Sequence, residues 1–70
     1  MIEGSVRLWK TEDGWGVIDS PGTPGGCWAH FSVVAMEGYR TLVVGQRVRF
    51  VAQSPGQDGY AFRATEVIPA

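Results

Sequence analysis

Charged and apolar side chains alternate along Arg47-Val48-Arg49-Phe50-Val51-Ala52, the two-residue period of a strand that keeps one face in water. Ser5 to Lys10 alternates more weakly and predicts a first strand. The segment after it, Thr11-Glu12-Asp13-Gly14, ends in an Asp-Gly step that favours a turn, so a hairpin leads into Trp15-Gly16-Val17-Ile18. Read as a strand, that run sets Trp15 and Val17 on one face and Gly16 and Ile18 on the other. Cys27-Trp28-Ala29-His30-Phe31 sets Trp28 and His30 against Cys27, Ala29 and Phe31. Tyr60 to Ile68 predicts a last strand in which Ala61, Arg63, Thr65 and Val67 share one phase and Phe62, Ala64, Glu66 and Ile68 the other. Neither phase is cleanly apolar.

Between the strands, Asp19-Ser20-Pro21-Gly22-Thr23-Pro24-Gly25-Gly26 is a loop, because proline lacks a ladder donor and glycine weakens strand order. Ser32 is placed to cap one short helical turn through Val33-Val34-Ala35. Gly38 to Gly45 is a long connection with Leu42 as its anchor on the core, and Gln53 to Gly59 is a polar loop. Short strands with turn residues between them predict an all-β, five-stranded antiparallel barrel, closed or nearly so, which shields most strand edges.

Length confines this to one domain, residues 1–70. A chain of this size buries only about 60% of the surface its unfolded form exposes. There is no room for a large enclosed active site, and exposed rings are compatible with the small core. Ten glycines and four prolines favour turns over long helices. Six lysines and arginines against seven acidic residues leave a net charge of −1, so no global field draws in polyanions. A nucleic-acid ligand would be held by stacking and local cations, with a shallow salt dependence. Cys27 is the single cysteine, which excludes an intramolecular disulfide and a cysteine-rich metal site. The expected protein is soluble and cytoplasmic, with no signal peptide and no membrane span.

The chemistry concentrates on the face of Trp15, Trp28 and His30. In an arbitrary β-domain such rings are core or interface residues, yet flat rings beside an imidazole also suit a platform for stacking nucleobases. His30 has no cysteine or carboxylate constellation for a metal, and Cys27 has no base in phase with it, so it reads as a small core residue. No catalytic residue, metal or cofactor is expected. Phe31 and Tyr39 either contact bases or cover the barrel rim. The first strand admits two arrangements: Arg7 and Trp9 outward with Val6 and Leu8 inward, or a bulge that turns Leu8 onto the platform. Arg47 and Arg49 read as a solvated strand face.

These residues carry a family resemblance over nearly the whole chain. Asp13-Gly14-Trp15-Gly16-Val17-Ile18 and Cys27-Trp28-Ala29-His30-Phe31 resemble the two nucleic-acid motifs of bacterial cold-shock proteins, Lys-Gly-Phe-Gly-Phe-Ile and Val-Phe-Val-His-Phe. Ser32, Glu37-Gly38-Tyr39-Arg40-Thr41-Leu42, Gly45-Gln46 and Ala64-Thr65-Glu66-Val67 continue the match in order. The resemblance implies a barrel of the oligonucleotide-binding (OB) type that binds single-stranded RNA and DNA. It also implies a platform of Trp15, Trp28, His30, Phe31 and Tyr39, with Arg7 and Lys10 near phosphates and secondary contacts from Leu8, Trp9, Val17, Tyr60 and Phe62. Gly14 and Gly16 would keep the backbone close and tightly turned.

Departures from the family pattern point to weaker binding. Leu8 stands where a stacking tryptophan is usual, Val17 replaces a phenylalanine, Asp13 and Ser5 replace lysines, and Gln57-Asp58 replaces a basic residue. Trp9, Trp15 and Trp28 enlarge phenylalanines, and Lys10 adds a cation, which compensates in part. Cys27 and Ala29 are smaller than the usual inward valines. The expected function is an RNA chaperone or a regulator of transcription or translation in the cold-shock response. The alternative is a protein-interaction module on the same fold with weakened nucleic-acid binding. A monomer is expected, with a domain-swapped dimer as the other possibility.

Overall fold

The computed structural model describes residues 1–36 and 40–70; Tyr39 and the Glu37-Gly38 pair before it lie outside the described residues. Five strands, β1 (Ile2–Lys10), β2 (Trp15–Asp19), β3 (Cys27–His30), β4 (Arg47–Gln53) and β5 (Phe62–Pro69), form a closed barrel in the order β1-β2-β3-β5-β4. All neighbouring pairs are antiparallel except β3 with β5. The all-β barrel expected from the alternation is therefore what the chain forms, with one parallel seam. Closure gives each strand two neighbours, which removes the open edges that would favour strand exchange.

Two bulges decide which side chains face inward. From the hairpin, β1 and β2 pair as Lys10↔Trp15, Trp9↔Gly16 and Leu8↔Val17; the register then shifts, so that Val6 lies opposite Ile18 and Ser5 opposite Asp19. Directly opposed residues share a face. The shift at Arg7 thus lets Val6 and Ile18 point inward together, while Trp9, across from Gly16, also packs on the core. Of the two arrangements open for the first strand, the bulged one holds. Residues at a bulge lose their ladder partner and bend the strand. A second shift, between Val51↔Glu66 and Ala52↔Ala64, leaves Thr65 unpaired. Ala64 before it and Val67 after it are both buried, which is why neither phase of this segment is cleanly apolar in sequence.

The core comprises Val6, Ile18, Cys27, Ala29, Val34, Leu42, Val48, Phe50, Ala64 and Val67. Leu42 anchors the long connection before β4, and Arg47 and Arg49 alternate outward against buried Val48 and Phe50. Burial pushes the Cys27 thiol up to about 11, consistent with an inert core side chain. The short helical turn is a 3-10 turn at Phe31–Val33, two residues earlier than expected, and its N-cap is His30 rather than Ser32. The ring Nδ1 accepts the Ser32 backbone N–H at 3.2 Å, the bond that a capping serine would otherwise supply.

Candidate nucleic-acid interface

The site starts at the β1–β2 turn. Asp13 and Gly14 donate backbone N–H groups to the Lys10 carbonyl at 3.0 and 2.8 Å, and Gly14 takes φ +79°, a region that side chains with a Cβ rarely adopt. The Gly14 carbonyl then accepts the Phe31 N–H at 2.8 Å. A Cβ on Gly14 would stand 3.0 Å from Phe31 Cδ1, so the glycine lets that ring lie close over the turn. Because β3 ends at His30, Phe31 leaves the inward phase that a continued strand would give it and joins the ring-bearing face, 42% exposed.

Cross-strand register assembles the remainder. Lys10, Trp15 and His30 lie in one row across β1, β2 and β3, and Leu8, Val17 and Trp28 in the next. Trp15 and Trp28 have ring centroids 6.1 Å apart at 26°, Trp28 and His30 6.0 Å at 26°, and His30 and Phe31 4.6 Å at 43°. Lys10 Nζ sits 5.2 Å from the centroid of Trp15, a cation–π distance. Since His30 Nδ1 accepts from the Ser32 backbone and lies 2.8 Å from Ser32 Oγ, the neutral ring carries its proton on Nε2. That leaves one N–H donor for a base or phosphate.

The second row is closed at Val17 and Trp28, with Leu8 half-buried at its β1 end. Val17 has no exposed surface and Trp28 only 8%, and the Trp28 indole N–H is buried without a hydrogen-bond partner among the described residues. Arg7, the bulge residue of β1, donates from Nε to both carboxylate oxygens of Asp19, at 2.9 and 3.1 Å, and from Nη2 to Oδ1. The hydrogen bonds to Asp19 raise the Arg7 guanidinium above its ordinary value against a smaller desolvation effect, with Tyr60 acting in the same direction as Asp19.

The expected site residues thus divide. Lys10, Trp15, His30 and Phe31 come together on an accessible surface, Leu8 is half-buried on the same face, and Val17 and Trp28 share that face but are covered. Arg7 is on the face but paired. Trp9 and Phe62 pack against the core instead, because the bulges at Arg7 and Thr65 turn them inward. Tyr60 is half-buried in the β4–β5 loop. Two contributors were not legible as such. Asp19 becomes the partner of Arg7 only through the bulge, and Arg40 donates to the Ser32 carbonyl at 3.2 Å. Arg40 also lines, with Trp9, Thr11, Gly14 and Phe31, a cleft of about 490 Å³ beside the rings. Glu12 and Asp13 line the same cleft, so its rim carries both signs of charge.

A small closed barrel with near-parallel rings across two adjacent strands defines a β-barrel of the OB type. The 'Cold-shock' DNA-binding domain family matches residues 2–70, and the chain belongs to that family. It is 38% identical over 69 residues to the cold shock-like protein CspD of Vibrio cholerae, covering 99% of this chain and 87% of that protein. It is also 35% identical over 66 residues to CspD of Haemophilus influenzae, covering 94% and 88%. With CspD of Escherichia coli the identity is 41% over 56 residues, covering 79% and 76%. No helix among the described residues is long and apolar enough to cross a membrane.

Proposed function

We propose that this protein binds single-stranded RNA and DNA by stacking unpaired bases on Trp15, His30 and Phe31, with Trp28 as a fourth ring that is covered in the free protein. The observation that carries this reading is the row of rings at 4.6 to 6.1 Å spacing with Lys10 over Trp15. Stacking on an aromatic side chain is worth roughly 1–3 kcal/mol per base and tolerates any base. Lys10 and Arg40 supply the local positive charge. Two phosphate contacts on a single strand would give a salt slope of about −1.4 in log K against log salt, far shallower than for a basic duplex binder. Capture of unpaired bases shifts hairpins toward open states by mass action, without an energy source, which is the action of an RNA chaperone. A monomer suffices for this.

A fluorescence titration with short oligo-U and oligo-dT tests the reading, since two tryptophans stand in the row. A change in emission that saturates with ligand is expected. If none of the tryptophans responds at high micromolar oligonucleotide and low salt, the reading fails. The consumption of the Arg7 charge by Asp19 favours a second reading, in which the rings dock a protein partner. A partner captured equally well after nuclease treatment, with no oligonucleotide response, would select it.

A further inference from the structure

The ring-bearing face is open at the Lys10–Trp15–His30 row and shut at the Leu8–Val17–Trp28 row, and Arg7 stands at the shut end. Its guanidinium is wedged between the Asp19 carboxylate and the β2–β3 loop. A Cβ on Gly26 would stand 2.8 Å from Val17 Cγ1, 3.1 Å from Arg7 Nη2 and 3.3 Å from Arg7 Cζ, so loop backbone, guanidinium and valine meet at one point. That meeting, together with the row neighbours Leu8 and Trp28, surrounds Val17, which has no exposed surface. The neighbouring Trp28, opposite Val17 on β3, keeps its indole N–H buried and without a partner among the described residues. A buried donor without an acceptor is an unfavourable arrangement that a structure relieves when an acceptor arrives.

The Arg7–Asp19 pair itself is half in water, with side-chain exposures of 40% and 47%. An ion pair at that depth is weak, because solvent screens it and each charge can return to water. Guanidinium presents the same fork to phosphate as to carboxylate. Exchange of one anion for the other would swing the Arg7 guanidinium away from Gly26 and Val17, which it now adjoins.

We propose that Asp19 is a built-in competitor for nucleic-acid phosphate: it clasps Arg7 over the Val17–Trp28 half of the platform. A single strand enters that half by drawing Arg7 from the carboxylate onto a phosphate, which opens the Trp28 indole N–H to a ligand acceptor. This rests on the reading that the face binds single strands. The consequence is that an acidic residue at the rim lowers affinity and keeps the bound strand quick to leave, while the open row makes first contact.

Asp19→Asn in the full chain tests the clasp, with Glu66→Gln, an exposed carboxylate of β5, as the control for net charge. Oligo-dT and oligo-U are titrated at several salt concentrations. Asp19→Asn is expected to tighten binding about two- to fivefold at low salt, the strength of the exposed pair it removes. It is expected to steepen the salt slope by about 0.7. The gain disappears when Arg7→Gln is added. In the free protein, hydrogen exchange at the Trp28 indole N–H accelerates in Asp19→Asn. Asp19→Ser carries the same expectations should the asparagine disturb the fold. A gain no larger than that of Glu66→Gln, or one that persists with Arg7→Gln, overturns the clasp while the binding reading stands. Absence of binding by the wild type and every variant overturns both.

Discussion

Gly16→Ala probes the contact on which the ring-bearing face is built. Gly16 lies opposite Trp9, and a Cβ there would stand 2.2 Å from Trp9 Cε3, 2.5 Å from the Leu8 carbonyl oxygen and 3.0 Å from Trp9 Cδ2. The carbonyl belongs to the β1 ladder and cannot yield, and the Trp9 ring packs against the core. Relief therefore requires the β1–β2 hairpin to separate or the indole to leave its site. Overpacking of this kind costs about 1–3 kcal/mol, and the backbone contact places Gly16→Ala at the upper end. A domain of this size carries on the order of 4–10 kcal/mol of stability, and each kcal/mol moves Tm by about 4–8 °C, so Tm should fall on the order of 12–24 °C. Thermal unfolding followed by circular dichroism measures it. Gly45→Ala is the reference: φ is +89° with nothing within 4 Å, so only backbone strain of about 1–2 kcal/mol applies. A Gly16→Ala variant that unfolds no earlier than Gly45→Ala would refute the claim that the indole of Trp9 packs through the glycine gap.

Phe31→Ala should raise the oligonucleotide Kd by a factor of about 5 to 150, the equivalent of one stacked base, with little change in Tm because the ring is 42% exposed. Isothermal titration reads the Kd, and an unchanged value would remove Phe31 from the site. Leu8→Trp should tighten binding by a comparable factor, since Leu8 shares the face of Trp15 and Trp28; fluorescence titration checks this. Cys27 is fully buried and its thiol is held at about 11 rather than 9.0. The unfolded chain then loses the thiol proton before the folded one does. Stability from this source is complete below pH 9 and falls as pH rises from 9 toward 11, so urea midpoints should drop less steeply across that range in Cys27→Ala than in the wild type.

The barrel was legible wherever side-chain alternation and turn chemistry acted alone. Arg47 to Phe50 kept its period, and the Asp13-Gly14 step made the hairpin. The failures share a cause, since each depended on a partner distant in sequence. The bulge at Arg7 exists because Val6 with Ile18 and Trp9 with Gly16 must both face inward, which an unbroken register forbids. The bulge at Thr65 does the same for Ala64 and Val67. Without the first, Arg7 and Asp19 would not meet, so the pairing of a cation expected to serve phosphates was hidden. The packing of Arg7 near Val17 beside Gly26 was hidden with it. His30 displaced Ser32 as cap because the 3-10 turn begins two residues sooner, bringing the imidazole Nδ1 within reach of the Ser32 amide. Trp15, His30 and Phe31 were legible from motif spacing because their placement needs only β2, β3 and one turn.

Among the described residues, the parallel seam between β3 and β5 is joined through Cys27↔Phe62 and Trp28↔Arg63, reinforced by the bridge Val34↔Val67. It is the shortest stitching in the barrel wall, beside the longer zips of β1–β2 and β4–β5. Breathing of the wall is therefore easiest there. One lip of that seam carries Trp28 and, through the turn capped by His30, the bridge at Val34. A strand laid across His30 and Trp28 would act as a splint on the weakest suture of its own receptor, so occupancy and closure of the barrel reinforce one another.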